Sequence, residues 1–337
     1  MKKSIQWSFL IVSAVIGAGY ASGREIWLFF GPNSGLAIVL FTILFAISNY
    51  SVLSISFRYQ TSHYTPVLQS LAGKKAYHLY DFMMIVYLVF TTMIMIAGSG
   101  VTFQAYRLPE WIGILFIVFM LIWAFSHKLD QVININTVII PVLLIALFIL
   151  LGVFLKKQPL ILQDEMIKPR YLKAVAFTSV NILPIISVIG AVGKKINSKT
   201  EIVLTSIISA LILGLLSFVY NYSLSMIATE IDKFEMPIYA ILIKFPSLIL
   251  LGFSLILWIA IYTTAIASML GLISRFQSKS HLSQLQLAIL ILLMITPFSF
   301  GGFQFLVELI YPLYGVFNLY LLIKLLIYPF RELLIKK

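Results

Sequence analysis

Three glycines in seven positions, Gly17, Gly19 and Gly23, interrupt an apolar run that extends from Trp7 to Phe30. Ala18, Tyr20, Ala21 and Ser22 stand between them, and two opposite charges, Arg24 and Glu25, follow at once. Glycine weakens a helix, yet a run of this length is suited to crossing a bilayer. Inside lipid a free N–H or C=O is expensive, so an opened helix persists there only where protein or a wet cavity receives its main-chain groups. The chemistry of such a break is that of bare peptide dipoles. Its N–H groups suit a carboxylate and its carbonyls suit a small cation, which together describe a substrate site. Ser22 with Glu25 three residues on has the form of a capping box, which would start a second half-helix near Ser22. The competing reading is a Gly-rich face for close helix packing, although packing needs neither the cap nor the charges.

A second interruption lies at Asn181-Ile182-Leu183-Pro184, followed by Gly190 and Gly193. Proline removes one N–H and clashes with the carbonyl four residues back, so this span is expected to be broken, with a simple proline kink as the alternative. The elements that must position these residues follow from composition. The 337 residues are 61% hydrophobic and 11% charged, with a mean hydropathy of +1.02. That is an all-α integral membrane protein. At about 20 apolar residues per crossing, ten transmembrane helices are expected, near 5–30, 35–57, 79–106, 109–126, 132–155, 171–193, 200–228, 247–274, 282–298 and 302–329. The interruptions fall in the first and sixth. Two such spans opening two halves of five, about 1–156 and 157–337, predict a 5+5 inverted repeat in a single transporter domain, with its site at the midplane.

The net charge of +12 fits short basic connections rather than nucleic acid. Lys2, Lys3, Arg58, Lys74, Lys75, Lys128, Lys194, Lys195, Lys199, Arg275 and Lys279 place both termini in the cytoplasm by the positive-inside rule. Lys156, Lys157, Lys168, Arg170 and Lys173 weigh against that orientation. With no cysteine, disulfides and thiolate chemistry are excluded. The four histidines fall in connections, no acid pair converges, and an integral membrane enzyme is the least favoured class. No organic cofactor is expected.

The stretch Gly17-Ala18-Gly19-Tyr20-Ala21-Ser22-Gly23-Arg24-Glu25, with ten spans and a broken sixth, resembles the YkvI-like membrane proteins. These are grouped with amino acid permeases of the amino acid-polyamine-organocation superfamily, whose fold is LeuT-like. The resemblance covers nearly the whole chain and implies a secondary transporter working by alternating access in the cell membrane. It also implies a sodium ion held by the Ser13 and Ile16 carbonyls, the Ala260 carbonyl and the Thr263 and Thr264 hydroxyls. Against this stands the ordinary habit of membrane threonines, which is to bond the carbonyl one turn back. In the resemblance Arg24 and Glu308 correspond to an external gate, though each could equally sit at the membrane surface. Residues 231–245 would form a lid helix or a surface loop.

Gly17 to Gly23 and Asn181 would then bind the solute, an amino acid or related zwitterion. Glu25 is the candidate for a proton site, since ionisable groups inside a membrane usually mark pathways. Two rivals stay open. One is a proton-coupled transporter; the other is a ligand-binding receptor subunit of the germination-receptor kind, which shares this architecture without transporting. The bilayer and the small solute are the expected partners, and protein partners are not legible.

Overall fold

A computed structural model describes residues 2–126, 130–158, 170–277 and 280–335. Lys128, Lys168 and Lys279, used above for topology, and His127 lie outside them. The glycine spacing has the expected local effect, because the first span comes in three pieces. α1 (Lys2–Val15) ends before Gly17, α2 (Ala18–Ala21) is a single turn, and α3 (Arg24–Phe30) resumes after Gly23. Gly23 takes φ +81°, a left-handed conformation that costs a side-chain-bearing residue about 1–2 kcal/mol. A Cβ there would also stand 2.8 Å from the Tyr220 ring.

α4 (Gly35–Arg58) follows, then α5 (Thr65–Gln104), α6 (Glu110–Ser126) and α7 (Asp130–Lys157). α5 bends at Gly73, φ +76°, which sets off its first turns from the long span Lys75–Gln104. The chain continues through α8 (Tyr171–Val180), α9 (Ile182–Val192), α10 (Lys199–Ser225), α11 (Ile238–Leu242), α12 (Ser247–Gln277), α13 (Gln284–Ser299) and α14 (Phe303–Ile335). Side chains cap two of these as expected for Ser before Glu or Gln. Ser198 Oγ accepts from the Glu201 N–H, and Ser283 with Gln286 forms a full capping box.

Two expectations are corrected. The interruption near Asn181 is one residue long, with helical dihedrals at φ −81° and ψ −3°, so the sixth span is kinked rather than opened. Proline at 184 cannot donate to the Val180 carbonyl, and the turn before it tightens. The Asn181 N–H donates to the Thr178 carbonyl at 3.2 Å, and Asn181 Nδ2 donates to the Phe177 carbonyl at 2.8 Å. The Ser22–Glu25 capping box does not form either. Gly23 is the N-cap of α3, and Ser22 Oγ donates back to the Gly19 carbonyl at 3.0 Å.

Among the described residues seven helices are long and apolar enough to cross a membrane, and α6 and α13 are shorter apolar helices. Their outward faces carry apolar stripes at helical spacing. Examples are Leu211, Leu215 and Phe218 on α10, Leu115, Phe119 and Trp123 on α6, and Leu313, Val316 and Phe317 on α14. Patches of this size are a liability in water and match a lipid surround. The chain is therefore a multi-span membrane protein. The interior holds the polar groups. Asn49 Nδ2 donates to Ser209 Oγ at 3.0 Å between α4 and α10, and Asn221 receives the Ser34 N–H at 3.1 Å and donates to the Gly31 carbonyl. Ala97, Gly98, Ser99 and Gly100 allow the close packing their size suggests. The nearest atoms to a Cβ on Gly113 of α6 would be the Ser99 carbonyl and Gly100, and Ser99 Oγ donates to the Gly113 carbonyl at 2.8 Å.

Candidate functional site

The break in the first span leaves main-chain groups at both of its ends. Gly17 N–H turns to the Val15 carbonyl at 3.0 Å instead of reaching back a full turn to Ser13. Among the described residues no backbone N–H donates to the carbonyls of Ser13, Ala14 or Ile16. On the other side the N–H groups of Ala21, Ser22 and Gly23 are taken by the carbonyls of Gly17, Ala18 and Tyr20. The Ala18 and Gly19 N–H groups begin the single turn of α2 and have no backbone acceptor among the described residues. The break thus presents three carbonyls and two N–H groups within seven residues.

Glu25 explains Gly19. A Cβ on Gly19 would stand 2.2 Å from Glu25 Oε1, so the glutamate side chain occupies the space that only glycine leaves open. The side chain folds back onto the turn, towards the Tyr20 N–H and the Tyr311 hydroxyl. It is 3% exposed, and among the described residues no basic side chain lies within ion-pairing distance of it. Arg24, its neighbour in sequence, points the other way. Being 1% exposed, it needs partners, and it finds them in the segment between α10 and α11. Its Nε donates to the Glu235 carbonyl at 3.0 Å, its Nη2 donates to the Phe234 carbonyl, and its Nη1 lies 3.4 Å from Glu308 Oε1. The same segment covers the break: the Ile238 N–H donates to the Ser22 carbonyl at 2.9 Å, and Met236 lies against Gly98 of α5. Residues 231–245 are a 3-10 turn, Ile231–Lys233, followed by the short helix α11.

The remaining candidates divide. Tyr20 is a structural peg rather than part of an open surface, since its hydroxyl donates to the Leu213 carbonyl at 3.0 Å and shares a 2.8 Å hydrogen bond with Ser217. Tyr220 holds the Ala21 carbonyl at 2.8 Å, so α10 grips the break at two points. Asn181 bonds its own helix, as described above. Thr263 and Thr264 donate to the Ala260 carbonyl at 3.1 and 2.8 Å, and Ser13 Oγ donates to the Leu10 carbonyl at 2.8 Å. Those back-bonds are the ordinary habit of helical hydroxyls. α12, which carries both threonines, packs against α2.

Some groups of the site escape a reading of the sequence alone. Arg275 and Asp81 form an ion pair joined by the Tyr64 hydroxyl, which donates to Asp81 Oδ1 at 2.8 Å. The pair ties α12 to α5 at the opposite end from Arg24 and Glu308. Tyr311 of α14, the neighbour of Glu25, also carries no local signal in the sequence. A cleft of about 690 Å³ lies away from the break, between α5, α13 and α14. Its lining, with Met83, Phe90, Phe298, Phe305 and Leu313, is apolar and suits hydrocarbon rather than a zwitterion.

No family model matches the chain. YyaD of Bacillus subtilis (strain 168) is 41% identical over 329 residues, 97% of each chain. The uncharacterised membrane protein YkvI of the same organism is 24% identical over 324 residues, 93% of this chain and 92% of YkvI. Among solved structures, a Na+-coupled sialic acid symporter in a substrate-bound outward-open state superposes with a TM-score of 0.60 at 12% identity, covering 92% of this chain and 75% of that one. The inward-facing conformation of Mhp1 gives 0.59 at 13% identity, over 94% and 72%. With YyaD matched along almost its whole length and YkvI beside it, the chain belongs to the YkvI-like family of membrane proteins and has the LeuT-like fold.

Proposed function

We propose that this protein is a secondary active transporter of a small solute, an amino acid or related zwitterion, working by alternating access and driven by a sodium gradient. The observation that carries the reading is the opened first span, whose carbonyls at Ser13, Ala14 and Ile16 have no backbone donor among the described residues. A hard cation binds where several oxygens converge. The Ser13 and Ile16 carbonyls would supply one side of a sodium site, and the Ala260 carbonyl with the Thr263 and Thr264 hydroxyls the other. The Ala18 and Gly19 N–H groups would hold the solute carboxylate. The two named structural neighbours support transport as the class of function, one being a Na+-coupled symporter.

In this reading ten spans cross the membrane, arranged as inverted halves of about 1–156 and 157–337, with both termini cytoplasmic. Arg24 and Glu308 form the external gate under the 231–245 lid, and the Arg275–Asp81 pair closes the other end. Proton coupling through Glu25 is the second reading, favoured by the enclosure of its carboxylate. The test is accumulation of labelled amino acids in proteoliposomes with and without an inward sodium gradient. Sodium-dependent accumulation above the external concentration supports the proposal. Accumulation driven by a proton gradient alone moves the coupling to Glu25, and binding without accumulation makes the chain a receptor.

A further inference from the structure

The cleft between α5, α13 and α14, about 690 Å³, has the volume of a small-molecule site, and the transport reading gives it no role. Its floor is buried, with Leu306, Ile310 and Tyr314 of α14 facing Met93 of α5. Its rim is not. Phe298, Phe305, Leu309, Leu313 and Phe317 are 49% to 65% exposed, so the cleft opens through the outward apolar stripe of α14 and is continuous with the face that meets lipid. The lining runs lengthwise along the helices. Phe305 to Phe317 covers about 18 Å of α14 and Met83 to Met93 about 15 Å of α5, while one leaflet of the hydrocarbon core is about 15 Å deep. One end is at the bilayer surface, because α13 stops at Ser299, α14 begins at Phe303, and Gly301 between them lines the cleft without a side chain. The other end, at Phe317, is in mid-helix. Among the described residues that line it none is charged, and Tyr314 alone carries a hydroxyl. Water needs several polar partners to settle in such a space, and walls left facing a void forfeit their dispersion contacts. A hydrocarbon chain restores those contacts and asks for no polar group.

We infer that this cleft is a binding site for one acyl chain of a bilayer phospholipid, which lies along α14 with its headgroup at the turn between α13 and α14. The depth of the cleft matches one leaflet, and its uncharged lining selects the chain rather than the headgroup. The site is separate from the break and stands independently of the transport reading.

The test is native mass spectrometry of the purified full chain, stripped of lipid by detergent exchange and then titrated with phospholipid. The probes are dioleoyl phosphatidylcholine, dioleoyl phosphatidylglycerol and dihexanoyl phosphatidylcholine. One dioleoyl lipid per chain is expected to bind, with similar affinity for the two headgroups. The dihexanoyl form should bind roughly tenfold or more weakly, since it lacks most of the methylenes that would lie in the cleft. V86W and L313W, which add bulk at two lining positions, should weaken dioleoyl binding by a similar factor. L215W, at an exposed position on the lipid-facing stripe of α10, should leave it unchanged. If V86W is not recovered folded, L313W carries the comparison, because Leu313 is at the exposed rim. Equal binding of long and short chains, an affinity that follows headgroup charge, or dioleoyl binding undiminished in the cleft variants overturns the site. A dimer that L313W dissociates, with no chain-selective lipid bound, also overturns it and gives the cleft to a second copy of the chain.

Discussion

Replacing Gly19 by alanine tests the packing of the break through one atom. The new Cβ would stand 2.2 Å from Glu25 Oε1 and 2.9 Å from its Cδ and Cγ. Gly19 is helical, so strain at φ plays no part, and alanine would gain about 1 kcal/mol of helix propensity over glycine. Against that gain stands overpacking, about 1–3 kcal/mol. The glutamate side chain must also retreat from the Tyr20 N–H and the Tyr311 hydroxyl, which adds to the cost. The clash therefore wins, and G19A is expected to be net destabilising. The sign depends on the glutamate. In an E25A background the obstructing atoms are gone, and G19A should become neutral or slightly stabilising. In an E25Q background the side chain keeps its shape and G19A should remain harmful. The assay is thermal unfolding of the four proteins of the cycle plus the E25Q pair in detergent, comparing the order of midpoints because unfolding of such proteins is commonly irreversible. A G19A penalty of the same size with and without Glu25 would refute the account of why this glycine is here.

Two further outcomes follow from the geometry. R24E and E308R should each depress uptake, and the double swap should restore part of it; absence of any rescue counts against pairing. Because Glu308 is 41% exposed on its side chain, the ion pair itself contributes about 1 kcal/mol or less. E308 variants should therefore lower the unfolding midpoint far less than R24 variants, which also strand two lid carbonyls. T263V and T264V should abolish any stabilisation by sodium over potassium, measured as the shift in unfolding midpoint between the two salts. A sodium shift that survives in the double variant would remove the threonines from the ion site.

The helix bounds were legible because the apolar runs that lipid demands are long and the connections between them short. The expected span at 247–274 is observed as Ser247–Gln277, and that at 200–228 as Lys199–Ser225. The break at Gly17 to Gly23 was legible for the same reason in reverse, since three glycines there have no role in a continuous helix. What Glu25 does was not. A carboxylate three residues after a serine can cap a helix or fold back onto the preceding turn, and here it folds back against Gly19. Asn181 shows the converse limit. Asn and Pro in mid-span announce a disturbed ladder, but whether the ladder opens or only bends depends on whether nearby groups can serve the freed carbonyls, and the Asn181 side chain does so within its own helix. The Arg275–Asp81 pair joins two spans whose relative register no local pattern reveals.

The central claim is that the opened segment of the first span faces solution from each side of the membrane in turn. Because the chain contains no cysteine, an A18C variant carries a single thiol at the break. Its modification by a membrane-impermeant thiol reagent, applied to sealed vesicles of each orientation, reports access directly. The account predicts labelling from both sides, slowed from both by the transported solute. Protection from both sides with or without solute, in protein shown to be folded, would contradict it and leave the break as interior packing.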